Sequence, residues 1–362
     1  MDCNTIPELN AEAWGDGLVA SLGHSRYPFG GSLELTERCN FNCVHCYINQ
    51  PASSQSARAR EMSTAQVKQV LDTLAQNGCL FLTLTGGEPL LRPDFAEIYM
   101  HARRLGMVTT LFTNATMLTP QIADMLAASR PHVVEITMYG ATPETYEAVT
   151  RMPGSYERFV RGLELLLDRD IRVGLKSMIL TLNKDELPAM IAFVERYGLD
   201  FRYDGTIWPR VDGGMQPLKY AISMEEMIQI DLDYPDRSTE WERLSSEFEG
   251  SAVRNEYVYS CGAGVYTFHI DCSGRMSACM MARQPSFDLF STSFSDAWQQ
   301  IGELRNKKRQ RHTKCETCLV GALCLQCPGW SQAFFGDDET PVDSVCEIAK
   351  KRYNLFSTAK LQ

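Results

Sequence analysis

The sequence predicts an α/β fold made of repeated strand–helix units, followed by a cysteine-rich region. Short apolar runs alternate with amphipathic helical patterns up to about residue 215, which is typical of parallel strands joined by crossover helices. The 13 cysteines gather mainly in two blocks, one near residue 40 and one in the C-terminal region, with one cysteine in the long stretch between them. Local patterning leaves two architectures open, a partial β/α barrel and an open doubly wound sheet.

Six apolar runs are the candidate strands, and they occur in the order Ser32–Thr36, Cys79–Thr85, Met107–Thr113, His132–Tyr139, Ile171–Leu180 and Asp200–Ile207. Amphipathic stripes between these runs predict the helices. Ser63 is expected to cap a helix that stops at Gly78. Asn183 is expected to open a helix that ends before Gly198, and Ser155–Asp168 is expected to form another.

One face of the predicted strands is polar where a packed barrel would be apolar. In the fourth strand the apolar residues alternate with Glu135 and Thr137, so these two face the opposite side of the sheet. By the same alternation Lys176 points inward from the fifth strand. The full polar row comprises Glu34, Thr36, Thr83, Thr85, Glu135, Thr137 and Lys176. It favours a lumen that binds a ligand, and the alternative is the exposed face of an antiparallel sheet.

Composition excludes several classes of function. The 362 residues include 35 Lys+Arg and 45 Asp+Glu, which gives a net charge of −10 and a pI near 5.2. A general nucleic-acid or anionic-membrane binder would need a basic face, so neither partner is expected. The sequence has no apolar run long enough to span a membrane and no signal peptide, so we expect a cytoplasmic protein. In that compartment 13 cysteines indicate metal or iron–sulfur ligands rather than disulfides.

A cysteine triplet follows the first predicted strand. Cys39, Cys43 and Cys46 have C-x3-C-x2-C spacing, and three such thiolates can hold three irons of a cubane cluster while the fourth iron stays open to a ligand. A partial zinc site is the alternative for the triplet. For the later Gly86-Gly87 pair, the alternative to a functional loop is an ordinary tight turn.

Four motifs in a fixed order make the chain resemble the radical S-adenosylmethionine (SAM) superfamily. They are the cysteine triplet, Thr85–Pro89 (TGGEP), Thr113-Asn114 and Glu135–Gly140, each at a successive predicted strand. The resemblance implies a partial (β/α)6 TIM barrel over residues 31–215, with a SAM-binding [4Fe–4S] cluster on the triplet. It also implies SAM contacts from His45, Tyr47, Gly86, Gly87, Glu88, Pro89, Asn114, Glu135, Thr137 and Lys176.

Three of these residues have specified roles in the resemblance. His45 and Tyr47 would border the adenine, and Glu88 would hold the SAM ammonium. The alternative for Glu88 is an N-terminal acid of the helix that follows from Pro93.

The C-terminal cysteines resemble the SPASM extension of radical SAM enzymes, an α+β module expected here over residues 256–350. The resemblance implies two auxiliary [4Fe–4S] clusters, three clusters in all. The first would be held by Cys261, Cys279 and Cys327, and the second by Cys315, Cys318, Cys324 and Cys346. Zinc is the alternative, although only five residues separate the two C-x2-C pairs where zinc ribbons have about 15–20.

The chain departs from the SPASM pattern at two points. Two residues precede Cys327 where the family commonly has three, and the stretch Gly262–His269 lacks an additional cysteine that some members carry. The fourth ligand of the first auxiliary cluster is therefore open between Cys272, a substrate group and solvent. Cys272 lies in an Asp-Cys-Ser-Gly turn, which favours an exposed turn cysteine over a ligand.

The remaining segments are assigned by exclusion. Residues 1–30 are an N-terminal extension, residues 216–255 a helical linker and residues 351–362 a C-terminal tail. Ser223 and Glu226 have capping-box spacing, which predicts a helix in the linker. The loop that carries Trp208 and Arg210 either contacts substrate or connects the barrel to the second domain.

The resemblance implies a radical SAM oxidoreductase. Reductive cleavage of SAM would give a 5′-deoxyadenosyl radical that takes hydrogen from a bound substrate. SPASM relatives mostly cross-link or dehydrogenate peptides, so a peptide substrate is expected, presented by a separate leader-binding protein. A flavodoxin- or ferredoxin-type protein would donate electrons. The alternatives are oxidation of a small molecule, such as an aminocyclitol or a tetrapyrrole, and a non-catalytic iron–sulfur electron carrier or scaffold.

Overall fold

The computed structural model describes residues 17, 25–48, 50–247, 256–320 and 323–357. Its strands are β1 (Gly30–Glu34), β2 (Arg38–Cys39), β3 (Gln50–Pro51), β4 (Phe81–Thr85), β5 (Val108–Thr113), β6 (Val133–Thr137), β7 (Val173–Met178), β8 (Asp200–Asp204), β9 (Thr267–Ile270), β10 (Arg275–Ser277) and β11 (Phe287–Asp288). The main sheet has nine strands in the order β11-β10-β9-β1-β4-β5-β6-β7-β8, and β2 pairs with β3 in a small second sheet.

The α-helices alternate with the strands over most of the chain. They are α1 (Gln55–Arg60), α2 (Thr64–Gln76), α3 (Phe95–Arg104), α4 (Pro120–Ala128), α5 (Pro143–Thr150), α6 (Ser155–Leu167), α7 (Leu187–Tyr197), α8 (Met224–Asp233), α9 (Pro235–Glu247), α10 (Phe294–Leu304), α11 (Pro328–Phe335) and α12 (Asp343–Phe356). Short 3-10 turns form at Pro89–Leu91, Lys184–Glu186 and Gln216–Tyr220.

Strand order decides between the two architectures that the sequence left open. The six strands β1, β4, β5, β6, β7 and β8 are parallel and follow one another across the sheet in chain order. A doubly wound sheet would reverse its strand order at a switch point, whereas a β/α barrel adds each strand beside the last. The fold is therefore the predicted partial (β/α)6 barrel.

Local signals placed most of these elements correctly. Ser63 caps α2 in a capping box with Gln66, and Ser223 caps α8 in a box with Glu226. The sixth strand ends at Asp204, three residues before its predicted end, because the Asp204 carboxylate accepts a hydrogen bond from the backbone N–H of Thr206 (2.8 Å) and turns the chain.

The helix predicted to open at Asn183 begins later. Its first residues form the 3-10 turn Lys184–Glu186, and α7 starts at Leu187. Asn183 does not cap the turn with its side chain. Instead its amide accepts from the N–H of Leu180 (2.7 Å) and donates to the carbonyls of Tyr139 and Met178 (both 3.0 Å), which ties the turn to two strand ends.

The predicted alternation of strand faces is confirmed for β6 and β7. Val134 and Ile136 are fully buried in the main core. Thr137 lies opposite Lys176 in the parallel register, and paired residues project from the same side of a sheet. The polar row therefore shares the inner face of the barrel.

The C-terminal region joins the barrel through a continuous sheet. Strand β9 pairs in parallel with β1, with Gly30 opposite Thr267 and Ser32 opposite His269, and β10 and β11 extend the sheet beyond it. The predicted second domain, which starts at residue 256, therefore shares one sheet with the barrel and, in the part of the chain that the structure describes, does not have a separate sheet of its own. Residues 1–16, 18–24, 248–255 and 358–362, parts of the predicted extension, linker and tail, lie outside the described residues. No helix among the described residues is long and apolar enough to cross a membrane.

Candidate cofactor and cluster sites

The cysteine triplet begins at the end of β2 and continues in a partly buried loop that follows the carboxyl end of β1. The Cys39 sulfur accepts from the N–H of Phe41 (3.4 Å), and the N–H of Cys46 bonds to the carbonyl of Cys43 (3.2 Å). Burial raises the pKa of Cys39 to about 12 and places that of Cys43 well above its usual range; the other thiolates of the triplet add to both increases. The loop therefore brings all three thiols together.

These thiols fit an iron–sulfur cluster. Burial is the main reason that the pKa values of Cys39 and Cys43 rise; the charge of Glu88 adds to the increase for Cys39, and neighbouring thiolates add to both. Iron ions would supply the positive charge that this arrangement lacks, and a thiolate is the form that ligates iron. The donor set therefore suits a cationic iron core, as the family pattern requires.

The TGGEP loop packs directly against the chain that leads into the triplet. The N–H of Gly87 donates to the carbonyl of Thr36 (2.7 Å), and that of Glu88 donates to the carbonyl of Arg38 (2.9 Å). Gly86 has φ = +137°, and a Cβ there would lie 2.3 Å from the Thr36 carbonyl oxygen. Both the conformation and the close approach require glycine. The pair is thus more than a turn, because it fixes the loop to the cysteine-bearing segment.

Glu88 connects the ends of β4 and β5. Its Oε1 accepts from the N–H of Leu90 (3.0 Å) and the hydroxyl of Thr113 (2.7 Å), and its Oε2 accepts from the N–H of Asn114 (2.8 Å). Burial raises the pKa of this fully buried carboxyl to about 7 against these hydrogen bonds. Glu88 caps the 3-10 turn Pro89–Leu91, whereas α3 begins only at Phe95. The capping alternative therefore applies to a shorter element than expected.

Asn114 reaches back to the triplet. Its amide nitrogen lies 3.8 Å from the Cys39 sulfur and 2.9 Å from the side-chain oxygen of Asn40. Together with its backbone contact to Glu88, this places one residue of the third motif between the cysteine loop and the TGGEP loop. The first three motifs therefore form one continuous site.

The two predicted adenine neighbours have different surroundings. The His45 ring lies 5.4 Å from the Tyr139 ring, its Nδ1 is buried without a partner, and burial lowers its pKa to about 4. Tyr47 instead directs its hydroxyl toward the sulfur of Met280 (3.9 Å), in the C-terminal region. An unpartnered buried nitrogen is typical of a site that awaits a ligand, and of the two predicted adenine neighbours His45 has one.

The inner face of the barrel carries opposite charges. Glu135 pairs with Arg202 (2.7 Å), and Lys176 lies over the ring of Phe112 (3.0 Å from nitrogen to ring centroid). Burial lowers the pKa of Lys176 to about 7, and the charge of Glu135 acts against this shift. Because Arg202 already pairs with Glu135, Lys176 is the cation best placed to receive an anionic group in the lumen.

The C-terminal cysteines form two sets. Burial raises the pKa of Cys327, and the charges of Cys279 and Cys261 add to the increase. In the other set, burial raises the pKa of Cys315, and a hydrogen bond with Cys346 raises that of Cys324. The charges of Cys346 and Cys318 add to both increases. The described residues contain no group of three His, Cys, Asp or Glu placed to hold a single metal ion. The ligand sets of the two auxiliary clusters therefore stay predictions of the SPASM resemblance, to which these pKa effects conform.

The charged neighbours of Cys272 differ from those of both sets. Burial raises its pKa, and the largest charge effects on it come from the carboxylates of Glu37, Asp271, Glu34 and Glu61. It is buried rather than exposed, contrary to the expectation for a turn cysteine, because the N–H of Met62 bonds to its carbonyl (2.8 Å) and covers the turn.

Sequence reasoning missed two residues of the inner face, His269 and Arg283. Both come from the C-terminal region and contact Glu34 on β1. The one available signal was Glu34 itself, since a buried carboxylate requires a cationic partner.

The Trp208 loop contacts the C-terminal region, because Trp208 stacks on Trp330 with ring centroids 3.7 Å apart. This supports its role as a connection to the second domain.

Comparison with known proteins gives consistent results. The family model described as the Radical SAM superfamily matches residues 33–194. AdoMet-dependent heme synthase of Methanosarcina barkeri is 36% identical over 324 residues, which cover 84% of this chain and 92% of that protein. Mycofactocin maturase MftC of Mycolicibacterium smegmatis is 36% identical over 309 residues, which cover 80% of this chain and 75% of that protein.

Two solved structures share the fold. Streptococcus suis SuiB bound to its precursor peptide SuiA aligns with a TM-score of 0.71 and 16% identity, over 92% of this chain and 80% of that one. The enzyme anSMEcpe with bound AdoMet aligns with a TM-score of 0.66 and 13% identity, over 90% and 96% of the two chains. At these identities the likeness concerns the fold alone.

Proposed function

The chain belongs to the radical SAM superfamily, and we propose that it cleaves SAM reductively and oxidises a peptide bound in the barrel lumen. The observation that carries this proposal is the single site formed by the cysteine triplet, the TGGEP loop and Asn114. When bound, the [4Fe–4S] cluster and SAM supply an electron and a 5′-deoxyadenosyl radical that removes a hydrogen atom from the substrate. The protein contributes binding, orientation and exclusion of water.

The charges of the inner face complement those of SAM, which carries an ammonium, a sulfonium and a carboxylate. Glu88 provides an anion at the end of β4, where Oε2 accepts one hydrogen bond and has a lone pair free for the ammonium. Lys176 provides a cation on the inner face of the barrel, opposite Thr137 in the sheet register, suited to the carboxylate. The buried Nδ1 of His45 is available to the adenine. Backbone groups of Gly86, Gly87 and Pro89 and the side chains of Tyr47, Glu135 and Thr137 complete the proposed contacts.

Two auxiliary [4Fe–4S] clusters are proposed for the C-terminal cysteines. Cys261, Cys279 and Cys327 would hold the first, and Cys315, Cys318, Cys324 and Cys346 the second. Their mutual effects on pKa support this division, as does the finding that carboxylates, rather than these cysteines, have the largest charge effects on Cys272. The first set would leave one iron without a cysteine ligand. The corresponding domain division, a barrel over residues 31–215 and a SPASM domain over 256–350, is proposed with it.

A peptide substrate is supported by two comparisons. The chain is similar over most of its length to a mycofactocin maturase, and it shares the fold of SuiB, whose structure includes a precursor peptide. We propose that a separate leader-binding protein presents the peptide and that a flavodoxin- or ferredoxin-type protein donates the electron.

The second candidate is oxidation of a tetrapyrrole. The relative from Methanosarcina barkeri with 92% of its length matched is a heme synthase, and its identity to this chain equals that of the maturase. The polar and charged inner face of the barrel does not distinguish between the two substrates, so the choice depends on experiment.

The test is to incubate the anaerobically reconstituted protein, dithionite and SAM with peptides encoded beside its gene, or with an iron porphyrin. Substrate-dependent 5′-deoxyadenosine and a peptide mass lowered by the loss of hydrogen support the peptide proposal. A shifted porphyrin absorption band together with porphyrin-dependent 5′-deoxyadenosine would replace it with the tetrapyrrole alternative. A protein that forms no 5′-deoxyadenosine under any condition would be an electron carrier or scaffold.

A further inference from the structure

A buried ion pair joins the barrel to the proposed auxiliary site. Glu34 on β1 is fully buried, and both of its oxygens accept from the Arg283 guanidinium, at 2.6 and 3.1 Å. His269 on β9 lies 3.6 Å from Glu34 Oε1, an ion-pair distance rather than a hydrogen bond, and its Nδ1 is 2.8 Å from the hydroxyl of Ser32. The residues of the pair are 249 positions apart, so the contact exists only in the folded chain.

Arg283 holds the loop that carries Cys279. Its Nε donates to the carbonyl of Met280 (2.8 Å), and the N–H of Met281 points at the Cys279 sulfur (3.5 Å). The guanidinium is therefore bonded to Glu34 on one side and to the backbone next to Cys279 on the other. An arginine with its fork occupied in this way is fixed in position and cannot be replaced by lysine without loss of contacts.

The same loop supports Cys327. Helix α11 begins directly after Cys327, and at Gly329 it approaches Met281 so closely that a Cβ would lie 3.1 Å from the Met281 side chain. Gln284 and Gln332 of α11 are joined by two hydrogen bonds, of 2.7 and 3.3 Å. Two of the three cysteines of the first auxiliary set are thus positioned by the segment that Arg283 anchors.

The pair also adjoins the cysteine triplet. Tyr47, one residue after Cys46, directs its hydroxyl toward the sulfur of Met280 (3.9 Å), and the carbonyl of Met280 accepts from Arg283. The residue that follows the triplet therefore contacts the segment that Arg283 holds. Glu34 itself precedes Cys39 by five residues on the strand that leads into the triplet.

We propose that Glu34, acting through Arg283, is a positioning residue for the auxiliary cluster of Cys261, Cys279 and Cys327, and that the balance of this buried pair sets the cluster's reduction potential. The inference rests on the proposed auxiliary clusters. A buried charge acts strongly on a nearby cluster, because the interior screens it poorly and net charge is one determinant of the potential. Arg283 would favour the reduced, more negative cluster, and Glu34 cancels that effect.

The test is an EPR-monitored redox titration of full-length protein in which Cys39, Cys43 and Cys46 are all Ala, so that signals come from the C-terminal cysteines alone. In this background Glu34→Gln leaves Arg283 uncompensated and should shift one midpoint potential upward. Glu34→Gln combined with Arg283→Met removes both charges and should return it close to the starting value. Ser32→Ala removes only the hydroxyl that contacts His269, and it should leave both potentials unchanged.

The outcomes separate the two proposals. Absence of iron from the background variant would refute the auxiliary clusters and this inference with them. Iron present with potentials unaffected by Glu34→Gln would refute the inference alone. If Glu34→Gln loses iron, the double variant decides: recovery of the cluster supports charge balance, and continued loss overturns it.

Discussion

Glu88→Gln tests how much of the SAM site depends on one negative charge. The carboxylate accepts three hydrogen bonds in a fully buried position, two on Oε1 and one on Oε2. A glutamine amide has one oxygen, so its NH2 group must face either the N–H of Asn114 or that of Leu90. One buried backbone donor then loses its acceptor, which should lower the free energy of unfolding by about 1–3 kcal/mol.

The effect on SAM has a separate cause. The ammonium would lose a charge-assisted hydrogen bond worth about 1.5–3 kcal/mol, which raises the dissociation constant roughly ten- to a hundredfold. The pH dependence follows from the pKa of Glu88, near 7. Below that value the wild-type carboxyl is protonated, so its SAM affinity should fall by about tenfold per pH unit as the pH decreases, whereas that of Glu88→Gln should not fall on this acid side. Above pH 7 both proteins should lose affinity in the same way, because Lys176, whose pKa is also about 7, loses the charge proposed for the SAM carboxylate.

Isothermal titration of reconstituted protein with SAM between pH 6 and about 8.5 measures both effects. Glu186→Gln is the control, because the Glu186 carboxylate likewise accepts several protein hydrogen bonds, four in its case, from Ala141, Thr142 and Thr145, outside the motifs. It should lose stability and keep its SAM affinity. An unchanged dissociation constant in Glu88→Gln, with reduced stability, would assign Glu88 to joining the two strand ends only.

Three further predictions concern the cysteines and the C-terminal helix. Replacing Cys39, Cys43 and Cys46 together by Ala should abolish 5′-deoxyadenosine formation and remove about four irons per chain; iron near zero, or SAM cleavage that persists, would contradict separate ligand sets. Cys272→Ser should retain near-wild-type iron and activity, and loss of about four irons with continued SAM cleavage would instead make Cys272 a ligand. Asp231→Asn should lower the free energy of unfolding by about 3–5 kcal/mol in urea titrations, because it leaves Arg237 and the buried Arg352 without their charge partner; a loss below about 1 kcal/mol would refute that role.

Local sequence signals predicted local structure well. The cap at Ser63 and the alternation in β6 depend on neighbours within a few residues, so the sequence alone contains the information. The TGGEP segment was also predictable as a loop. The positive φ of Gly86 is a backbone conformation that favours glycine whatever the surroundings.

Contacts between distant segments were not predictable in the same way. Nothing near Glu34 in the sequence indicates that its partner is Arg283, and nothing near β1 indicates that β9 pairs with it. The helix at Asn183 was misplaced for the same reason, because its amide bonds to Tyr139, a residue from another strand end. Tertiary contacts overrode the local preference at each of these positions.

The most direct test of radical SAM chemistry in this protein is the EPR spectrum of the dithionite-reduced, fully reconstituted chain before and after addition of SAM, with 5′-deoxyadenosine measured in the same samples. We predict that SAM changes one cluster signal, that this signal is absent when Cys39, Cys43 and Cys46 are Ala, and that only the intact protein forms 5′-deoxyadenosine. Spectra that are identical with and without SAM, with no 5′-deoxyadenosine, would contradict the account.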